Sequence, residues 1–281
     1  MSSSVQLPEA ERLSDLQLSL SEVRARVEQA SSSSSSTPPR LVAVSKYKPA
    51  SDILACYESG QRDFGENYVQ ELVDKAQMLP RDIRWHFIGT LQSNKSKILA
   101  SIPNIYAIQT VTSIKAANAL TKALSSEPSR PPLNILLQVN TSGEDAKSGL
   151  PPLTTTSESD GELTQLARHV IKECPHLRLQ GLMTIGALSE SLSGEAENKD
   201  FERLKATRDV LQEVLGKEFP EGEWGVDGRL LMSMGMSSDF EAALRAGSDI
   251  VRVGTGIFGE RKKKADMHSD ANAGETAAAG K

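Results

Sequence analysis

Cysteine is nearly missing from this chain: Cys56 and Cys174 are the two in 281 residues, with no CxxC spacing and no histidine cluster beside them. That excludes a disulfide framework and gives no metal site, and both read as small core side chains. Long apolar runs are missing too. Nothing approaches the roughly 20 consecutive apolar residues of a membrane span, so no membrane partner is expected. Positive charge is not in excess, since 32 Lys and Arg stand against 37 Asp and Glu for a net charge of −5, and no overall field for nucleic acid results. The N-terminus is Ser-rich but carries acids early and has no apolar core, which gives neither a signal peptide nor a transit peptide; a cytoplasmic protein is expected. No repeat at solenoid spacing is visible.

What is present is an ordinary globular composition, 25% charged and 38% hydrophobic, long enough for one large domain. Leu13, Leu16, Leu20, Val23 and Val27 fall at helical spacing and predict an amphipathic helix over 9–29. The serine run 31–36 and Thr37-Pro38-Pro39 are low-complexity and read as a flexible connection. Short apolar runs then alternate with helical patterns. Strands are predicted at 41–46, 63–65, 85–89, 105–109, 135–140, 177–184, 229–234 and 249–254. Helices are predicted at 51–59, 67–79, 93–100, 113–124, 161–173, 200–215 and 238–246, with Ser51, Ser113 and Ser238 as N-caps and Gly60, Gly216 and Gly247 as terminal glycines. About eight βα units in this length predict an α/β fold, a single TIM-type (β/α)8 barrel. A doubly wound sheet is the alternative, but the first strand is not followed by a dinucleotide fingerprint. The expected organisation is a helix and Ser-rich segment over 1–39, a barrel over 40–261, and a disordered tail over 262–281. Two polar stretches, 150–160 and 189–199, read as solvated insertions. The basic triplet at 262–264 is too short for a nucleic-acid site.

A barrel of this kind carries its chemistry at the C-terminal ends of its strands. Here those ends present Lys46, Glu66-Asn67, Gly89-Thr90, Gln109-Thr110, Asn140-Thr141-Ser142, Thr184, Ser233 to Ser238 and Gly254-Thr255-Gly256. Lys46 closes a run that reads as a buried strand, so its ammonium must reach solvent, pair with a carboxylate, or lose its proton and act as an amine. The loops after strands seven and eight commonly build a phosphate site in barrels, and Ser237, Gly254 and Thr255 suit that role, although a Gly-Thr-Gly turn alone is a weak signal. Arg252 shares a strand face with Ile250 and Gly254 and needs a partner, either a structural carboxylate or an acceptor on a ligand. An amine, a phosphate cradle and a fixed cation around one mouth suggest pyridoxal 5′-phosphate (PLP), held covalently as an imine on Lys46 with Arg252 facing the pyridine nitrogen. A permanent cation at that nitrogen weakens the ring as an electron sink.

Seven stretches carry a resemblance: 41–49 (LVAVSKYKP), 64–71 (FGENYVQE), 85–95 (WHFIGTLQSNK), 136–149 (LLQVNTSGEDAKSG), 181–186 (GLMTIG), 231–244 (LMSMGMSSDFEAAL) and 251–261 (VRVGTGIFGER). In order, they resemble the pyridoxal phosphate homeostasis protein family, whose members look like the fold-type III PLP-binding barrel of alanine racemase without its C-terminal β domain. The resemblance implies that Lys46 forms the Schiff base, that Ser237, Gly254 and Thr255 contact the phosphate, that Arg252 lies beside the pyridine nitrogen, and that Asn67 lines the cofactor. Lys48 is the weaker choice of amine. It also implies a protein that binds and buffers PLP, with no catalytic residue of its own. PLP-dependent apoenzymes are expected as recipients, and a monomer or weak dimer as the assembly. The alternative is a PLP-dependent racemase or related amino-acid enzyme. Two-base racemisation needs acid–base groups on both faces of the substrate, and a partner domain usually supplies one of them.

Overall fold

The computed structural model describes residues 5–31, 38–127, 129–144, 148–154, 160–187, 198–222 and 224–260. Most of the serine run, residues 155–159 of the first polar insertion, nearly all of the second and the tail from 261 lie outside these residues. Eight strands form a closed parallel barrel in sequence order: β1 (Arg40–Val44), β2 (Asp63–Glu66), β3 (Arg84–Phe87), β4 (Ile105–Val111), β5 (Leu133–Gln138), β6 (Leu177–Met183), β7 (Leu231–Ser233) and β8 (Ile250–Val253). Pairing of β1 with β8, from Arg40 opposite Ile250 to Ala43 opposite Val253, closes the ring. The runs are short, and all but β2 and β3 carry Val, Ile or Leu, as suits strands buried on both faces.

A helix follows every strand: α2 (Ala50–Glu58), α3 (Val69–Met78), α4 (Ser96–Ala100), α5 (Ile114–Leu124), α6 (Glu162–Glu173), α7 (Lys199–Glu218), α8 (Phe240–Arg245) and α9 (Thr255–Phe258). The larger core lies between strands and helices, and a smaller plug of Val42, Leu136, Met183 and Ile250, with Leu231 against it, fills the inside of the barrel. A Cβ at Gly65 would meet Val42 Cγ1 at 3.0 Å, Ile88 Cδ1 at 3.3 Å and Val44 Cγ2 at 3.4 Å, so residues 42, 44, 65 and 88 face inward together. The preceding helix, α1 (Ala10–Ala30), places Leu16, Leu20, Val23 and Val27 in the larger core against α2, α8 and α9. Among the described residues no helix is long and apolar enough to cross a membrane.

Element boundaries differ from expectation where local chemistry overrides pattern. The first strand stops at Val44, so Lys46 sits in the turn beyond it rather than on the strand. Pro49 stands at the N-cap of α2, its φ of −66° already suited to a helix start, and Ser51 falls inside the first turn. Asp239, not Ser238, precedes α8, and its carboxylate accepts from the Met236 amide instead of capping the helix. Gly216 lies within α7, because Leu215 is still buried and the helix continues to Glu218. Ser113 does cap α5, accepting from the Ala116 amide at 3.2 Å.

Candidate cofactor site

Three βα loops converge at one side of the barrel mouth. After β7 the chain turns at Gly235, whose φ of +92° suits glycine and where a Cβ would stand 2.5 Å from the Ala243 Cβ. This turn delivers Ser237, whose Oγ accepts from the Gly254 amide at 3.1 Å and the Gly256 amide at 3.4 Å. Gly254 in turn lies so close to β1 that a Cβ there would be 3.2 Å from the Val44 carbonyl oxygen. Ser237, Gly254 and exposed Thr255 are therefore brought together two residues from Lys46. Hydroxyl and amide donors grouped in this way match the oxygens of a phosphate.

Arg252 is 3% exposed, and no carboxylate among the described residues pairs with it. Its Nη1 donates to Ser233 Oγ at 2.7 Å and its Nη2 to the Thr184 carbonyl at 2.8 Å. Burial pushes the guanidinium down to about 10, with Asp239 opposing the shift, so it stays charged at neutral pH. In place of the structural ion pair considered from sequence, neutral acceptors bind the guanidinium directly, and the carboxylate of Asp239 acts on it without a hydrogen bond.

The half-buried Lys46 is flanked by residues tied to one buried cluster. Lys75 Nζ donates to the Ser45 carbonyl at 2.8 Å and to Glu66 and Glu71 at 2.6 Å each. Ser45 Oγ donates to Glu66 at 2.7 Å, and the Tyr47 amide donates to Glu71 at 2.7 Å. Tyr47 takes a φ of 61°, uncommon for a residue with a side chain, so the turn carrying Lys46 is held in place from both sides. Burial pushes the Glu66 carboxyl up to about 7, although Lys75 opposes this. Lys48 donates to the carbonyls of Phe258, Gly259 and Glu260 at 3.0, 3.1 and 2.9 Å, tying the first loop to the last.

Asn67 completes the set from β2. Its buried Oδ1 has no partner among the described residues, and it lines a cavity of about 250 Å³ together with Ile88, Gly89, Thr90, Thr110 and Gln138. Gly89 is required here, since a Cβ would lie 1.9 Å from the Asn67 carbonyl oxygen. None of the side chains lining the cavity is charged. Asn67 belongs to this cavity, whereas Lys46, Ser237, Arg252, Gly254 and Thr255 outline the β1, β7 and β8 side of the mouth. Sequence reasoning gave Gln109 only as a polar strand end and assigned no role to Lys75, Glu71, His86 or Gln138. A polar side chain at inward parity inside an apolar strand, as with His86 and Gln109, is the signal that marks such residues.

A parallel barrel with these loops places the chain in a known class, for residues 18–262 match the family described as "Alanine racemase, N-terminal domain". An alanine racemase from Corynebacterium glutamicum shares the fold at a TM-score of 0.60 and 15% identity, over 89% of this chain and 62% of that one. The particular kin are closer. A pyridoxal phosphate homeostasis protein of Schizosaccharomyces pombe is 43% identical over 83% of this chain and 89% of its own length. The Homo sapiens protein of that name is 42% identical over 79% and 77%. PipY of Synechococcus elongatus, solved with PLP bound, superposes at a TM-score of 0.62 with 28% identity, over 87% of this chain and all of that one. The chain belongs to the pyridoxal phosphate homeostasis protein family.

Proposed function

We propose that this protein binds PLP at the barrel mouth, with Lys46 as the covalent attachment point, and serves PLP homeostasis in the cytoplasm without turnover of its own. The observation that carries the reading is Arg252, a buried cation hydrogen-bonded to a hydroxyl and a carbonyl at the mouth. The names of the relatives and the PLP-bound PipY structure support the same ligand. The residues present fit it. The Ser237 and Thr255 hydroxyls supply phosphate donors, the Gly254 and Gly256 amides that now donate to Ser237 Oγ lie beside them, and the unpartnered Asn67 Oδ1 supplies an acceptor.

PLP, when bound, supplies an aldehyde that condenses with a primary amine and a ring that withdraws electrons through its nitrogen. Lys46 offers the amine, and the Glu66, Lys75 and Glu71 cluster fixes the backbone on either side of it. Arg252 is assigned to the ring nitrogen, where a fixed positive charge disfavours adding a proton and so weakens electron withdrawal. Carriage suits such a site better than carbanion chemistry. PLP-dependent apoenzymes are the recipients we assign, and a monomer or weak dimer the assembly.

The test is to load the purified protein with PLP, record its visible band, reduce with borohydride and map the modified peptide. The adduct is expected on Lys46 and should vanish in Lys46→Ala. An adduct on Lys48 or Lys75, or none after loading, sinks the assignment. Incubating the loaded protein with common L-amino acids should produce D-isomer no faster than Lys46→Ala does; clear turnover above that variant makes it a racemase.

A further inference from the structure

A file of buried polar side chains runs through the barrel beside its apolar plug. Arg252 Nη1 donates to Ser233 Oγ at 2.7 Å, and Ser233 Oγ donates to Gln109 Oε1 at 2.7 Å. Gln109 Nε2 lies 3.0 Å from His86 Nδ1, and His86 Nε2 lies 2.9 Å from Asp63 Oδ1. Ser233, Gln109 and His86 have no exposed surface at all. Asp63 lies at the start of β2, at the opposite end of the barrel from the mouth, where Arg84 also grips it.

With a neutral imidazole in it, the ends of this file set one consistent direction for its bonds. A guanidinium can only donate, so Ser233 Oγ must accept from Arg252 and its single proton is left for Gln109 Oε1. The Gln109 amide then presents its N–H to His86, which must accept at Nδ1 and carry its proton on Nε2, facing Asp63. Burial alone raises the Asp63 carboxyl, but hydrogen bonds from Arg84 and His86 and the charge of Arg40 hold it well below the usual range, so it is the pure acceptor the last bond needs. Burial pushes the His86 imidazolium down, which keeps the ring neutral. Each group between the ends has one donor and one acceptor in line, and reversing any one of them leaves two donors or two acceptors facing each other. Apolar side chains of similar size would fill the same volume without this desolvation, so the file calls for a reason beyond packing.

We infer that Gln109 and His86 are positioning residues for Arg252: they lock the Ser233 hydroxyl so that it accepts from the guanidinium, and thereby set how that cation meets the ligand. The inference rests on the assignment of Arg252 to the PLP ring, and its test separates the two.

In the ligand-free protein, nitrogen-15 resonances of His86 should report the proton on Nε2; a proton on Nδ1 overturns the file. In PLP-loaded protein, Arg252→Ala should shift the visible band and speed cofactor release, and no change there removes Arg252 from the ring without touching the file. Two substitutions of His86 then divide its roles. His86→Asn keeps an acceptor near the Nδ1 position and loses the donor to Asp63, whereas His86→Gln keeps a donor near Nε2 and loses the acceptor for Gln109. His86→Gln should shift the band and release PLP roughly 3- to 10-fold faster, the range for one hydrogen bond, and His86→Asn should depart from wild type less. A pure packing role predicts the reverse, because glutamine is nearer in size to histidine. Equal effects, or a larger one in His86→Asn, overturn the inference. Should neither variant fold, Gln109→Leu carries the test: faster release with a shifted band supports it, and an unchanged band and release rate overturn it.

Discussion

Glu66 departs far from the chemistry of its residue type. It is fully buried, accepts from Ser45 and Lys75 on one oxygen, and among the described residues has no partner on the other. Its folded pKa of about 7 lies above the ordinary 4.5, so the folded chain holds that proton more tightly than the unfolded one. The stability Glu66 contributes is therefore complete below about 4.5 and is lost as pH rises through about 7. Glu66→Gln should flatten this decline, seen as a smaller difference between denaturation midpoints at pH 5 and pH 8 than in wild type; a steeper difference contradicts it. Lys75→Met strands two carboxylates and should cost about 3–5 kcal/mol at pH 8 in denaturant titrations, and less at pH 5, where Glu66 can take a proton. At this scale the sequence marked residues whose type and strand-end position spoke together: Lys46, Asn67, Ser237 and Arg252. Lys75 was invisible because a lysine on an amphipathic helix reads as solvated until its neighbours are known.

Among the elements, α1 packs on three helices that adjoin the site loops. Its apolar stripe packs on α2, α8 and α9, and Arg12 donates to Asp52 of α2 and to the Phe258 carbonyl of α9. Leu20→Ala should cost about 2–5 kcal/mol by urea unfolding and should loosen the loop that carries Thr255. Gly89→Ala should cost about 1–3 kcal/mol through forced displacement of the Asn67 backbone, and should weaken PLP retention more than the same change at Gly216, where a Cβ meets nothing. Helix periodicity made α1 legible in the sequence to within a residue. Its ends and those of the other helices were less so, because caps depend on single backbone conformations such as that of Pro49, which a hydrophobic pattern does not encode.

For the whole molecule, saturating PLP should stabilise the protein by about 2.7 kcal/mol at a hundred times its dissociation constant, read as a rise in melting temperature that shrinks in Arg252→Ala. The barrel itself was legible from the rhythm of strand and helix, since each βα unit announces itself locally. The polar file was not. His86, Gln109 and Ser233 lie on β3, β4 and β7, and only closure of the ring brings the third against the second.

That closure also sets a clock. The parallel contact between β1 and β8 joins residues some two hundred positions apart, and the amides of Gly254 and Gly256 come with the later partner. During synthesis Lys46 leaves the ribosome about two hundred residues before the β8 groups that accompany it at the barrel mouth. Non-local pairing of this kind forms slowly. A nascent chain therefore carries this lysine well before its phosphate loop, and that side of the site comes into being in one late event rather than being assembled by degrees.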